Sequence, residues 1–393
     1  MSSTTHPTIL LRAETKPLEH RSFAPSTIAA LVQAGYTIQV ERSSTKPEYR
    51  RIFDDSEYSA AGAELVPEGS WRSAPRSTMI LGLKEIPEED FPLTSDHIAF
   101  SHCYKGQGGW EKVLARFPRG GSTLYDLEFL VDEQGRRVSA FGYHAGFAGA
   151  ALAVKTWAWQ LTHPGEELPA TEKFTEGRGY YLNEDELVKQ IREDVVQGEK
   201  IVGRKPSAMI LGALGRCGRG ACDLFLKAGI PEENLVRWDI NETRDRQGPY
   251  REIVQSDIFL NAIYLSEPIP PFVNNDILSE PGRKLSVVCD VSCDTTNPHN
   301  PIPIYSINTT FDKPTVPVTI QNDQNKDVPL SVISIDHLPS LLPREASESF
   351  SAGLLPSLLE LKDKNTARVW TDAEKLFKEK VATLPADMQK KEV

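Results

Sequence analysis

The stretch Ser207-Ala208-Met209-Ile210-Leu211-Gly212-Ala213-Leu214-Gly215-Arg216-Cys217-Gly218 decides the fold. Its apolar run, Ala208–Leu211, predicts a short buried strand. Three glycines spaced by three follow, and the apolar period beyond them predicts a helix through Ala228 that stops at Gly229. Glycines in such a loop allow a tight turn and let backbone N–H groups approach an anion at the helix N-terminus. A second strand, Asn234–Trp238, ends in Asp239, 21 residues after Gly218. An acid at that point can bond both ribose hydroxyls of a dinucleotide and repel a 2′-phosphate. Strand, loop, helix, strand and terminal acid in this order favour NAD binding over a glycine turn that only packs helix on sheet. Two further predicted strands, Ile258–Leu265 and Leu285–Val291, continue the pattern.

Working outward, 393 residues suit two domains. Upstream, Thr8–Leu11, Tyr36–Val40, Met79–Leu83 and Ile98–Phe100 read as strands. A helix from an Ser26 N-cap to Gln33–Ala34, stopped by Gly35, lies between the first two. This alternation predicts a parallel α/β sheet. Leu124–Phe129 and Arg137–Phe141 predict a hairpin around Asp132-Glu133-Gln134-Gly135. The Gly/Ala-rich run Phe141–Leu161 carries His144 and Lys155, so it is expected as a buried helix connecting the domains, not a membrane span. Glu184–Val196 is amphipathic, and Gly203-Arg204-Lys205-Pro206 reads as a linker into the second domain.

A net charge of −11 gives no electrostatic reason to bind nucleic acid. The start MSSTTHPTIL lacks a secretory pattern and the end Lys-Glu-Val is not a peroxisomal address, so the expected compartment is the cytoplasm. The five cysteines include no CxxC pair, and no second ligand pair accompanies Cys289 and Cys293. Reduced thiols and no metal are therefore expected. Within this acidic chain, cations gather at strand ends: Arg12, Lys16, Arg21, Lys84, His102, Lys105, Arg136 and Arg137. Together they suggest a polycarboxylate ligand, although any single one of them is ordinarily a surface charge. Lys84 and His102 each closely follow an apolar strand. A half-buried lysine among cations has a lowered pKa and can act as a base, and histidine titrates near neutrality.

Several collinear motifs resemble the NAD-dependent, lysine-forming saccharopine dehydrogenases of fungi. They are Leu11-Arg12-Ala13-Glu14-Thr15-Lys16-Pro17, Gly82-Leu83-Lys84-Glu85, Ser101-His102-Cys103-Tyr104-Lys105, Tyr125-Asp126-Leu127-Glu128-Phe129, Gly135-Arg136-Arg137-Val138, Gly212–Gly218, Asp294–Pro301 and Ile335-Asp336-His337-Leu338-Pro339. The likeness runs from Leu11 to about Ala346. It implies a fold similar to alanine dehydrogenase, with two Rossmann-like α/β domains, parallel sheets and an interdomain cleft. The substrate-binding domain would comprise residues 1–140 and 339–393, and the NAD-binding domain residues 141–338. The implied reaction converts saccharopine, NAD⁺ and water to lysine, 2-oxoglutarate and NADH.

By matching position, the resemblance makes Lys84 the base for the secondary amine and His102 the acid–base group for imine hydrolysis. Glu128 would tune the lysine. Arg21, Lys84, Arg137, Phe141, Ser292, Cys293 and Asp294 would contact substrate. Arg136, Gly215, Arg216, Asp239, Thr243, Tyr264, Val291, Ile335, Asp336, His337 and Leu338 would contact NAD. The family can pair the cysteine matching Cys217 with one where this chain has Ala262, so that disulfide is absent. The expected partners are small molecules (saccharopine, lysine and 2-oxoglutarate) acting on a monomer, with no nucleic acid and no membrane. Two other readings stay open at this point: an alanine-dehydrogenase-like enzyme on a smaller oxo acid, and a catalytically silent NAD-binding protein of the same fold.

Overall fold

The computed structural model describes residues 6–106, 108–265, 267–293 and 299–392. The chain forms two compact units. The first comprises Met1–Ala140 and Pro343–Val393, the second Phe141–Leu342.

In the first unit, β1 (Thr8–Leu11), β2 (Thr37–Glu41), β3 (Glu64–Val66), β4 (Met79–Leu81), β5 (His97–Ala99) and β6 (Leu124–Asp126) make one sheet. Its order is β3-β2-β1-β4-β5-β6 and every pairing is parallel. Parallel strands need crossovers that cover both faces, which is why β1 and β4 are short, mainly apolar runs and β5 is buried along its whole length, His97 included. The crossovers include α1 (Pro25–Gln33), α2 (Asp55–Ala60) and α3 (Trp110–Gly120). Two helices from the far end of the sequence, Pro343–Leu359 and Arg368–Val381, complete this unit. Ser22 N–H donates to Ser347 Oγ at 3.1 Å, Phe23 packs edge-on to Phe350, and the fully buried Trp370 meets the Tyr125 ring at 5.4 Å. Burying each such large apolar side chain is worth about 1.5–3 kcal/mol.

In the second unit, β7 (Ala208–Leu211), β8 (Leu235–Trp238), β9 (Ile258–Asn261), β10 (Val287–Asp290), β11 (Val316–Pro317) and β12 (Ser331–Ile333) form a sheet of order β11-β12-β10-β9-β7-β8. Only the edge strand β11 is antiparallel. Its helices include α4 (Gly142–Thr162), α5 (Glu184–Val202), capped by the Asn183 side chain, and α6 (Arg216–Lys227). α4 and α6 meet backbone to backbone: a Cβ on Gly146 would lie 1.8 Å from the Cys217 carbonyl oxygen. The Gly/Ala composition of α4 thus serves a close helix contact within this unit.

Several expectations are corrected. No hairpin forms around residues 132–135. β6 joins the parallel sheet, and the later partner is reduced to one antiparallel bridge between Val131 and Arg137. The Asp132 carboxylate takes the N–H groups of Gln134 and Arg136 at 2.9 Å each, which makes a tight turn without strands. The first helix is capped at Ala24, not Ser26, with Pro25 in the first turn, where a missing N–H costs nothing. β3 escaped the sequence reading because its residues are exposed or half-buried and carry no apolar alternation. The chain re-enters the first unit at Pro343 rather than at residue 339, because Leu338, Leu341 and Leu342 pack into the second core. Among the described residues, no helix is long and apolar enough to cross a membrane.

Candidate functional site

In each unit the sheet order places its topological switch beside the first strand, between β1 and β4 and between β7 and β9. Ligands of such folds bind outside the carboxyl ends of the strands at that point.

In the first unit those ends carry the cations. Lys84 lies just past β4 and is half-buried. Burial lowers its pKa. Glu19 opposes that, Arg21 and Lys16 reinforce it, and Glu85 opposes it again. Among the described residues, its Nζ makes no hydrogen bond or ion pair. His102, past β5, adopts a left-handed backbone (φ 53°) and stacks on Phe100, and its Nδ1 is hydrogen-bonded to Glu85 Oε1. Glu85 was not singled out from sequence, although it stands in the same motif as Lys84. Burial pushes its carboxyl up, but the hydrogen bond from His102 and the charges of His102 and Lys84 outweigh this and hold it at about 2.

Glu128 lies two residues past β6. Its Oε1 accepts from Lys105 Nζ and from Arg137 Nη2, each at 2.7 Å. Burial raises its pKa, but the Lys105 bond and the charges of Lys105 and Arg137 lower it overall. The carboxylates that act most on Lys84 are therefore Glu19 and Glu85, while Glu128 serves Lys105 and Arg137. Beneath them Asp126, 2% exposed, accepts the N–H groups of Glu128 at 2.9 Å and Ser101 at 3.4 Å, tying the two loops together. Burial raises its pKa to about 6.

Arg21 is buried against Glu19, close enough to act on Lys84. Arg136 is exposed and pairs with Asp132. Arg12 is removed from the set of ligand cations. It is 1% exposed and committed to Glu14 and to the carbonyl of Lys84.

The second unit holds the nucleotide candidates other than Arg136, which belongs to the first unit. Gly212–Gly218 follow β7, and α6 starts at Arg216 without a side-chain cap. A Cβ on Gly218 would lie 2.2 Å from the Gly212 carbonyl oxygen, so glycine is required for the turn to close. An uncapped helix start of this kind suits a phosphate. Asp239, at the end of β8, accepts Ile240 N–H at 2.9 Å through Oδ1 and Leu214 N–H at 3.0 Å through Oδ2. It thereby pins the glycine loop, and it also closes a capping box with Glu242, whose N–H its carboxylate accepts, which leaves acceptor capacity for a ribose hydroxyl. These residues fit a dinucleotide.

Thr243 donates its hydroxyl to the Asp239 carbonyl at 3.0 Å, and Tyr264, past β9, is 63% exposed. Val291 follows β10 and donates to the Asn261 carbonyl at 2.9 Å. Ser292 and Cys293 donate their N–H groups to the buried Asp290, which Asn261 and Tyr305 also hold, at 3.0 and 2.6 Å. This polar knot was not foreseen. Asp294 lies outside the described residues. Phe141 begins the unit as the N-cap of α4. Past β12, Ile335 and Leu338 are buried in the core, Asp336 is exposed, and the His337 ring packs on Phe311. Among the described residues, no His, Cys, Asp or Glu cluster could hold a metal ion.

Residues 10–148 match the family described as Alanine dehydrogenase/PNT, N-terminal domain. The chain is 60% identical over 380 residues to the NAD(+), L-lysine-forming saccharopine dehydrogenase of Emericella nidulans, spanning 96% of this chain and 98% of that one. Its similarity to the enzyme of the same description from Schizosaccharomyces pombe is 55% over 381 residues, spanning 96% and 99%. Among solved structures, an L-alanine dehydrogenase superposes with a TM-score of 0.61 at 15% identity over 94% of each chain, a likeness of fold alone.

Proposed function

The chain belongs to the family of NAD(+)-dependent, L-lysine-forming saccharopine dehydrogenases, and from that premise we propose that it oxidises saccharopine with NAD⁺ and water to L-lysine, 2-oxoglutarate and NADH. The observation that carries the reading is the pair of loops after the neighbouring strands β4 and β5. They bring a half-buried Lys84 of lowered pKa and a carboxylate-held His102 to one sheet edge.

NAD⁺ supplies the hydride acceptor. Oxidising a secondary amine requires its neutral form, because the nitrogen lone pair must form the C=N bond as hydride leaves carbon. Lys84 takes that proton, and its burial favours the neutral amine that can do so. Water then adds to the imine carbon. His102 moves the protons that turn the adduct into a carbonyl and the free ε-amine of lysine, while Glu85 fixes its Nδ1 and leaves Nε2 for the transfer. Saccharopine carries three carboxylates, and Arg21 and Arg137 are the groups of the first unit assigned to them. The second unit holds NAD through Gly215, Arg216 and Asp239, and the enzyme acts as a cytoplasmic monomer.

The deciding assay incubates the protein with lysine, 2-oxoglutarate and NADH and follows NADH loss. Turnover only with ammonia and a small oxo acid supports the alanine-dehydrogenase-like alternative instead. NADH binding without any turnover supports a silent binder.

A further inference from the structure

We infer that Arg12 and Glu14 form a backbone clamp that positions Lys84, gripping its peptide groups from both sides. The inference rests on the reading of Lys84 as the base. A lysine amine sits at the end of a flexible four-carbon stem, so its placement depends on how firmly the backbone beneath it is held. Past the three residues of β4 the β5 side stays paired, with Gly82 N–H donating to the Ile98 carbonyl at 3.0 Å and Phe100 N–H to the Leu83 carbonyl at 2.9 Å, whereas on the β1 side the last backbone bond among the described residues is Arg12 N–H to the Leu81 carbonyl at 2.9 Å. On the β1 side Glu14 takes over from the ladder. Its Oε1 accepts Leu83 N–H at 2.7 Å and its Oε2 accepts Lys84 N–H at 2.9 Å. Arg12 holds the other side of the same residue, with Nη2 donating to the Lys84 carbonyl and Nη1 lying 3.5 Å from Glu14 Oε2.

The clamp is built in, not draped over the surface. Arg12 and Glu14 are 1% and 7% exposed. Their own loop is fixed in turn by Glu41, whose carboxylate accepts Ala13 N–H at 2.9 Å and Trp71 N–H at 2.7 Å. The guanidinium lies flat against Gly82, where a Cβ would come within 2.3 Å of Arg12 Nε. The motifs Leu11-Arg12-Ala13-Glu14 and Gly82-Leu83-Lys84-Glu85 are thus two halves of one device across β1 and β4. Arg12 and Glu14 are positioning residues, since they reach Lys84 through its backbone and not through its amine.

The test is Glu14→Gln in the full chain. A carboxamide can accept only one of the two N–H groups and turns its own N–H₂ toward the other. Displacing a catalytic group slightly costs roughly ten- to a hundredfold in rate. The expected result is a loss of kcat on that scale and a displaced limb in the pH profile of kcat assigned to the base, with the Kd for NADH unchanged. In the Lys84→Met background the same substitution should cost nothing further, because the clamp acts only through Lys84. Thermal unfolding is followed in parallel. Should Glu14→Gln not fold, Arg12→Lys and Gly82→Ala are read the same way. A folded variant with an unmoved pH profile, or an equal loss in the Lys84→Met background, overturns the clamp while leaving Lys84 as the base. Wild-type turnover in Lys84→Met alone overturns the reading of Lys84, and the clamp's role with it.

Discussion

Glu85 binds Nδ1 of His102 and directly follows Lys84 in the chain, so one carboxylate sits between the two candidate acid–base groups. Its pKa falls from the ordinary 4.5 to about 2, the His102 contact and neighbouring charge prevailing over burial. A carboxylate depressed in the folded state stabilises that state fully above the unfolded value and loses the contribution as pH falls through the folded one. The stability gap between wild type and Glu85→Gln is therefore expected to be widest above pH 4.5 and to close towards pH 2. Denaturant titrations of both proteins across that window check it. A gap independent of pH would show that the ionised contact contributes nothing.

Lys84→Met and His102→Gln are each expected to lower kcat by roughly a hundredfold, the scale of lost general acid–base catalysis. The double variant should lose the bell-shaped pH dependence altogether. Steady-state rates of folded variants over the accessible pH range make the comparison. Wild-type rates and an unchanged bell in both single variants would remove these residues from the chemistry.

Asp239 anchors the glycine loop through Leu214 N–H, and in the proposed role as a ribose contact its charge would repel a 2′-phosphate. Wild type is expected to prefer NADH over NADPH. Asp239→Ala should weaken NADH binding while narrowing that preference, as read from kcat/KM with both cofactors. Equal use of both by wild type would contradict the assignment.

Arg137 shares one Glu128 oxygen with Lys105. If it serves the substrate, Arg137→Ala should raise KM for 2-oxoglutarate by about ten- to a hundredfold, the worth of a charge-assisted pair at roughly 1.5–3 kcal/mol. The Kd for NADH, measured by fluorescence quenching, should move little. A main effect on NADH instead would reverse the division of roles between the units.

The second unit was legible because its signal is local: the strand, glycine loop, helix and acid occupy one continuous stretch, and the turn needs its glycines for steric reasons. The strand-end positions of Lys84 and His102 could be read for the same reason. The hidden part is what joins distant segments. Nothing in the spacing reveals that Glu14 reaches the N–H of Lys84, 70 residues away, or that Arg12 is withdrawn from the surface to hold the same residue. A charged side chain looks alike in sequence whether it meets a ligand or a backbone amide. Asp126 and Asp290 are further cases, as carboxylates buried beneath loops whose turns they fasten. The failed hairpin has a related cause, since a side-chain cap on Asp132 makes the reversal without any strand pairing.

The split of the first unit between both ends of the sequence sets an order of birth. A chain emerging from the ribosome delivers all six strands of the first sheet before residue 141, yet the helix bearing Phe350 and the one bearing Trp370 arrive only after the second unit is complete. Until then Phe23 and Tyr125 lack their packing partners and the Ser22 amide lacks its acceptor. The unit that begins synthesis first is the last to close. Through that interval its unfinished apolar face lacks the cover those two helices provide, the kind of exposed surface that makes folding intermediates prone to aggregate.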